Sequence, residues 1–291
     1  MEMQRVGVVG GGVMGSGIAE VCARHGFQVH LVEASAELVE ATRGRVERSM
    51  ARALERGRMT EAERDTARGA IAWGTDLEVF AGTDLVIEAI PERLELKREV
   101  FSRLDRIAPD RAILATNTSA LPVIEIARAT ARPERVLGTH FFNPPPVMRL
   151  LELVRSIATA DETMATARSF AERIDKQVIV AQDRGGFIVN LLLIPFLSGA
   201  IRLFESGFAS REDIDQGMRL GCNHPMGPLE LLDHIGLDTH LMVCDALYEE
   251  YALPEYAAPP LLKRMVAAGY LGRKSGRGFY AYPSEGRSAP G

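Results

Sequence analysis

His140 and Glu152 are the side chains in this sequence best suited to moving a proton between them. His140 ends an apolar run, Val136 to Thr139, that reads as a buried strand, and Glu152, 12 residues later, interrupts a second run, Leu150 to Val154. Burying either group alone costs several kcal/mol, because an unpaired polar or charged group loses its water. Buried together they suit each other. A carboxylate on one imidazole nitrogen fixes the tautomer and leaves the other nitrogen to take and return a proton. Between them Asn143-Pro-Pro-Pro146 can reverse the chain, since proline presets φ and blocks helix. The pattern implies a His–Glu acid–base pair. Set against it stands a plainer reading, a satisfied core histidine with an unrelated carboxylate at a strand end.

A second constellation lies at the start of the chain, where Gly10, Gly12 and Gly15 follow one strand-like run and open a helix, Met14 to His25. In this spacing the first glycine makes a tight turn, the second lets the backbone approach a pyrophosphate, and the third lets helix and strand pack closely. The phosphates then sit on the helix N-terminus. Glu33 ends the next strand, 23 residues after Gly10, where an acid can accept bonds from a ribose 2′-hydroxyl. Gly10, Gly12, Val13, Met14, Gly15 and Glu33 therefore form a predicted dinucleotide site. Ala34 and Ser35 follow Glu33, so no arginine waits there for a 2′-phosphate, and NAD is the expected cofactor.

The elements that must position these groups follow from periodicity. From residue 4 to about 180, short β-branched runs alternate with amphipathic helical stretches, as in a mostly parallel sheet covered on both faces. A long helix, Ala36 to Arg56, and a second from Thr60, where Thr60 and Glu63 have capping-box spacing, make a projecting hairpin over about 36–70. After Asp183-Arg-Gly-Gly186 the alternation stops and helical periods take over. The expected fold is a Rossmann-type, doubly wound domain over residues 1–184 followed by an all-helical domain over 185–291, closed by a glycine-rich strand. The tail Pro283–Gly291 is expected to be disordered.

With 291 residues, the chain has room for two domains and a large core. A hydrophobic content of 46% and a net charge of −5 fit a globular protein with no general affinity for nucleic acid or anionic membrane. Cys22, Cys222 and Cys244 are odd in number and lack metal-ligand spacing, which points to a reducing compartment and no metal. No signal peptide is read at the N-terminus. The longest apolar stretch, Phe187 to Ile201, carries Asn190, Pro195 and Ser198, so it reads as a core helix and not a membrane span. A cytoplasmic location is expected.

Taken together, seven motifs resemble the 3-hydroxyacyl-CoA dehydrogenase family over residues 4 to 282, particularly its short, monofunctional 3-hydroxybutyryl-CoA members. They are Val8-Val-Gly-Gly-Gly-Val-Met-Gly-Ser-Gly-Ile-Ala19, Val86-Ile-Glu-Ala-Ile-Pro-Glu92, Thr116-Asn-Thr-Ser-Ala-Leu121, Thr139-His-Phe-Phe-Asn-Pro144, Gly186-Phe-Ile-Val-Asn190, Pro225-Met-Gly-Pro-Leu-Glu230 and Gly276-Arg-Gly-Phe-Tyr280. The resemblance implies that His140 is the base that takes the C3 hydroxyl proton, and that Glu152 orients it. It implies that Ser119 and Asn190 bond the reacting oxygen. Glu92, Lys97, Asn117, Asn143 and Lys274 match cofactor contacts, and Ser49 and Arg56 match residues touching CoA. A homodimer through the helical domain is implied too, with Phe187–Ile201 and Leu229–Leu247 as candidate surfaces. Two positions depart from the family pattern: Gly186 stands where proline is usual, and Leu191 where a basic residue is frequent.

The expected reaction is hydride transfer between NAD and C3 of an (S)-3-hydroxyacyl-CoA that enters between the domains. Two alternatives remain at this level: oxidation of a free sugar acid, as in the similar gulonate dehydrogenases and lens λ-crystallins, and a non-catalytic NAD-binding protein on the same fold. Acyl chain length is not readable from any residue.

Overall fold

The computed structural model describes residues 3–282. It divides into two compact units, the first ending at Phe187 and the second beginning at Ile188. The first unit is built on β1 (Arg5–Val9), β2 (Gln28–Val32), β3 (Ile71–Gly74), β4 (Leu85–Glu88), β5 (Ile113–Thr116), β6 (Val136–Phe141), β7 (Leu150–Arg155) and β8 (Gln177–Gln182). These form one 8-stranded sheet in the order β3-β2-β1-β4-β5-β6-β7-β8. Every neighbouring pair is parallel except β6 and β7. Strand order reverses between β1 and β4, and in such sheets the crevice beyond the carboxyl ends of these strands is where a ligand binds.

The helices of this unit are α1 (Val13–Arg24), α2 (Ala36–Glu55), α3 (Glu61–Gly69), α4 (Leu94–Ile107), α5 (Val123–Ala127) and α6 (Asp161–Arg173). They cover both faces and seal two apolar layers, one around Ile18, Phe27, Met50 and Phe170, the other around Phe80, Phe101, Leu104 and Val123. Parallel strands buried on both faces need near-continuous apolar sequence, and β4, β5 and β6 are buried at every position. The α2–α3 hairpin forms as expected: Thr60 and Glu63 close a reciprocal capping box at the start of α3. Phe187 belongs to the sheet core, which is why the first unit runs to that residue. Gly186 has φ +82° and Phe187 φ +51°. Proline cannot take the conformation of Gly186, so the family's usual residue would not fit this path.

The second unit packs α7 (Val189–Glu205), α8 (Arg211–Gly221), α9 (Pro228–Ile235), α10 (Leu237–Tyr251) and α11 (Pro260–Ala267) around Leu197, Ile201, Leu232 and Leu247. Two expectations need correction. The long apolar helix begins at Val189 and not at Phe187, because Phe187 has turned into the other core. The closing strand does not form. Gly272 and Gly276, with φ +91° and +75°, bend the chain, and only isolated bridges join Gly272 to Arg277 and Arg277 to Ala281. The expectation for the tail 283–291 lies outside the described residues. Among those described, no helix is long and apolar enough to cross a membrane, and no cluster of His, Cys, Asp and Glu could hold a metal ion.

One buried histidine makes this unit sensitive to acid. His240 on α10 meets the Ser198 hydroxyl of α7 through Nε2 at 3.1 Å, while its buried Nδ1 has no partner. Burial lowers its pKa from 6.5 to about 4. The unfolded chain then binds more protons than the folded one between these values, so stability is unaffected above pH 6.5 and falls as pH drops below it. The loss is expected to reach about 2 kcal/mol at pH 5. Urea denaturation of His240→Gln at pH 7 and pH 5 checks this: the pH-dependent part of the loss is expected to shrink, and equal losses in variant and parent would refute it.

Candidate active site

Parallel β4, β5 and β6 end at one edge of the sheet, and the side chains read as chemical from the sequence gather there. His140 is the fifth residue of β6. The Asn143–Pro146 reversal sends β7 back antiparallel, and the register sets His140 directly opposite Glu152. Residues paired across antiparallel strands share a face, so the imidazole and the carboxyl meet. His140 Nδ1 lies 2.6 Å from Glu152 Oε2, and the Glu152 side chain is 0% exposed. A carboxylate only accepts, so in the neutral imidazole Nδ1 is the nitrogen that carries the proton and Nε2 the one left with a lone pair. The Ser119 hydroxyl, in the turn after β5, stands 3.3 Å from Nε2. Phe142 and Phe187 pack their rings against the imidazole, with centroids at 4.6 and 5.5 Å. This arrangement holds the histidine in one tautomer and one orientation, with one nitrogen available for a substrate proton.

Behind Ser119 lies a further polar network. Glu92 Oε1 accepts bonds from the Thr118 hydroxyl and from the backbone N–H of Ser119, the latter at 2.9 Å. Its Oε2 is 3.2 Å from Lys97 Nζ. Lys97, on α4, is 0% exposed and donates at 2.7 Å to Glu88 Oε1 at the end of β4. The buried Glu88 also accepts from Ile90 N–H at 2.7 Å and from the Thr116 hydroxyl at 2.8 Å. Burial pushes its carboxyl up, and Lys97, Thr116 and Ile90 N–H oppose the rise. Lys97 is therefore not the solvated surface lysine that its type and position suggest.

The glycine turn has the shape a dinucleotide needs. Gly10 has φ +89°, a conformation that glycine takes without steric cost. A Cβ on Gly15 would lie 1.8 Å from the Gly10 carbonyl oxygen, whereas one on Gly12 would meet nothing within 4 Å. The first and third glycines are thus closely packed, a Cβ on Gly10 lying 2.8 Å from the Ala89 carbonyl oxygen, and open space is left over the second. Gly12 is the N-cap of α1 and offers no side-chain bond to the helix's first N–H groups, which leaves Val13, Met14 and their neighbours to present amides to an anion. Glu33 follows β2. Its Oε1 accepts from Gly11 N–H at 2.6 Å and its Oε2 from Ala34 N–H at 3.2 Å. The acid thereby ties the glycine turn to β2.

Of the other expected contacts, Asn117 uses its side-chain oxygen to accept from Phe141 N–H at 2.9 Å, joining the ends of β5 and β6. Asn143 and Ser49 line one cleft with Arg48 and Arg52, and Arg56 lines an adjoining one. Ser119, His140, Glu152, Glu92 and Lys97 are thus brought together in the first unit. Asn190 and Lys274 belong to the second: Asn190 stands half-buried in the first turn of α7, and Lys274 Nζ pairs with Asp238 at 2.5 Å. Sequence reading missed Glu88, Thr118, Glu20 and Lys176. Glu88 could have been found, because a lone acid in the run Leu85 to Ile90 is the same signal that exposed Glu152.

Comparisons with known proteins agree over nearly all of the chain. Residues 5–184 match the family model for the 3-hydroxyacyl-CoA dehydrogenase NAD binding domain, and residues 186–282 match the model for the 3-hydroxyacyl-CoA dehydrogenase C-terminal domain. A 3-hydroxybutyryl-CoA dehydrogenase of Mycobacterium tuberculosis is 51% identical over 282 residues, covering 96% of this chain and 99% of the relative. The human mitochondrial hydroxyacyl-coenzyme A dehydrogenase is 42% identical, with 96% and 91% covered. Among solved structures, FadB2 of M. tuberculosis superposes with a TM-score of 0.96 at 50% identity, over 97% of this chain and all (100%) of that one. The (S)-3-hydroxybutyryl-CoA dehydrogenase PaaH1 of Ralstonia eutropha gives 0.92 at 42% identity, over 97% and 100%.

Proposed function

The chain belongs to the 3-hydroxyacyl-CoA dehydrogenase family and is an NAD-dependent oxidoreductase, and from that premise we propose that it interconverts (S)-3-hydroxybutyryl-CoA and acetoacetyl-CoA with His140 and Glu152 as its acid–base pair. The observation that carries this reading is the 2.6 Å contact between His140 Nδ1 and Glu152 Oε2, with Ser119 on the opposite nitrogen. The glycine turn and Glu33 would hold NAD, which would supply hydride transfer to or from C3 of the acyl group. In oxidation His140 Nε2 takes the proton of the C3 hydroxyl, and in reduction it gives that proton back to the carbonyl oxygen. Glu152 stabilises the imidazolium formed in between. Ser119 donates to the reacting oxygen, and Asn190 is assigned the same task. Glu92 and Lys97 hold the turn that carries Ser119; Glu92, Lys97 and Asn143 would hold the nicotinamide ribose end of the cofactor, and Asn117 and Lys274 would be further contacts.

The substrate class rests on the relatives' names and on the basic clefts beside α2, where Ser49 and Arg56 suit a CoA, Arg56 its phosphates. A homodimer through the helical unit belongs to the same reading. Within its two candidate surfaces Leu192 is 71% and Met242 48% exposed, apolar side chains that a second copy would cover. A cytoplasmic location is in keeping with three free cysteines, of which Cys222 is exposed.

The test follows consumption of NADH, and separately of NADPH, with 3-ketoacyl-CoA thioesters of increasing chain length. Turnover of acetoacetyl-CoA is expected, with NADH favoured at least about tenfold, one such factor corresponding to about 1.4 kcal/mol. No turnover of any ketoacyl-CoA, together with oxidation of CoA-free hydroxy acids, would overturn the assignment in favour of a sugar-acid dehydrogenase.

A further inference from the structure

Next to the glycine turn the first unit holds a cleft of about 370 Å³ bounded by α1, α2 and the Asn143–Pro146 segment. A smaller cleft of about 150 Å³ continues it towards Arg56 and Arg58. Glu20, Ser49, Arg52, Pro144 and Pro146 line both, so they mark the middle of one continuous channel. One end abuts Asn143, three residues beyond His140; the other is arginine.

The walls of the middle are firm. Lys176, itself buried, donates from Nζ to the carbonyls of Pro145 and Met148, both at 2.7 Å. On the other side a Cβ at Gly17 would lie 2.7 Å from Pro145 Cδ, so the proline segment is held against α1 without slack. The floor is Glu20, 0% exposed. One of its oxygens is 3.4 Å from Arg24 Nη1, while the other, Oε2, is buried without a hydrogen-bond partner. Burial raises the carboxyl's pKa, and hydrogen bonding from the Ser49 hydroxyl and from Arg24, with the charges of Arg24 and Arg52, opposes the rise. A buried acceptor without a donor is costly, and native proteins seldom leave one unless a ligand or water supplies the partner.

An acyl-CoA laid in this channel has its parts in a forced order. The thioester must reach His140 past Asn143, the phosphates suit Arg56 and Arg58, and the span between is the pantetheine arm. A carboxylate repels phosphate but matches the arm's amide N–H groups, and Pro144 and Pro146 suit its methylenes. Resting on the reading that the substrate is an acyl-CoA, we propose that Glu20 accepts a hydrogen bond from a pantetheine amide N–H and so selects the arm of the substrate.

The experiment measures KM for acetoacetyl-CoA and for acetoacetyl-pantetheine, which lacks the phosphoadenosine end. Glu20→Met is expected to raise both KM values about tenfold, with a smaller change in kcat and none in KM for NADH. Glu20→Gln keeps an acceptor oxygen and is expected to stay within about threefold of wild type. An unchanged KM in Glu20→Met overturns the proposal, as does a rise confined to acetoacetyl-CoA, which would place Glu20 at the nucleotide end. Should Glu20→Met not fold, a pantetheine thioester methylated at its amide nitrogens tests the donor on the wild-type enzyme. A rise of about tenfold in KM is expected there, and no rise overturns the proposal equally. Failure of the underlying reading looks different: wild type would then not reduce acetoacetyl-CoA at all.

Discussion

Glu152→Gln is expected to lower kcat for acetoacetyl-CoA reduction by about 10²–10⁴-fold, the range for losing an oriented acid–base group. KM for NADH is expected to change less than about threefold, because the cofactor's contacts lie on other residues. Glutamine has nearly the volume of glutamate, so the packing around the fully buried Glu152 survives. What changes is the charge beside His140 Nδ1. The amide can still accept from Nδ1–H, but it no longer stabilises the imidazolium, and with its NH2 turned inward it selects the tautomer whose Nε2 already bears a proton. The first outcome weakens the base and the second removes it. Steady-state kinetics beside a fluorescence titration with NADH separates the two effects, and a kcat within threefold of wild type would sink the proposed pair.

Lys97→Met is expected to destabilise the first unit by about 3–5 kcal/mol, the usual result of breaking a buried ion pair from one side. Lys97 Nζ is 2.7 Å from Glu88 and 3.2 Å from Glu92, so its loss strands two carboxylates, one of them without any exposed surface. The pH dependence has a definite sign. Glu88's folded pKa lies above its ordinary value, so the folded state binds more protons than the unfolded chain above pH 4.5 and stability falls as pH rises through that window. Without Lys97 the rise grows. The variant is therefore expected to lose more at pH 8 than at pH 5, and adding Glu88→Gln is expected to restore part of the loss. Denaturant midpoints at the two pH values decide the matter; equal midpoints for Lys97→Met and wild type would show the pair to be incidental. Ser119 offers a second readout, since its backbone N–H is held by Glu92.

These two expectations mark where sequence reading succeeds and where it stops. The strand, glycine turn and helix at the N-terminus were legible because each glycine has a local steric reason. The adjacency of His140 and Glu152 was legible because two apolar runs flank a proline-rich reversal, and an antiparallel register follows. Glu88 and Lys97 were not paired in advance, although they are nine residues apart. On the page Lys97 is one lysine in a charged amphipathic helix, and only the packing of α4 over the strand ends turns it inward. Glu20 and Lys176 were hidden for a related reason: their environments are made by the Pro144–Met148 segment, distant in sequence from both. The closing segment was misread as a strand because glycines at 272 and 276 carry no mark of whether they extend a chain or bend it.

The direct pairing of His140 with Glu152 across two strands has a consequence for how this protein can vary. Their alignment is inherited from the backbone ladder, in which side chains alternate between faces. Lengthening or shortening the turn between the strands leaves the ladder, and hence the pair, intact. One residue inserted within either strand would instead present Leu151 or Leu153 to the imidazole and turn the carboxyl to the opposite face. The pair itself is thus sensitive to insertion in the arms of this hairpin and not at its tip, where the limit is set instead by the contacts of the proline segment with α1 and Lys176.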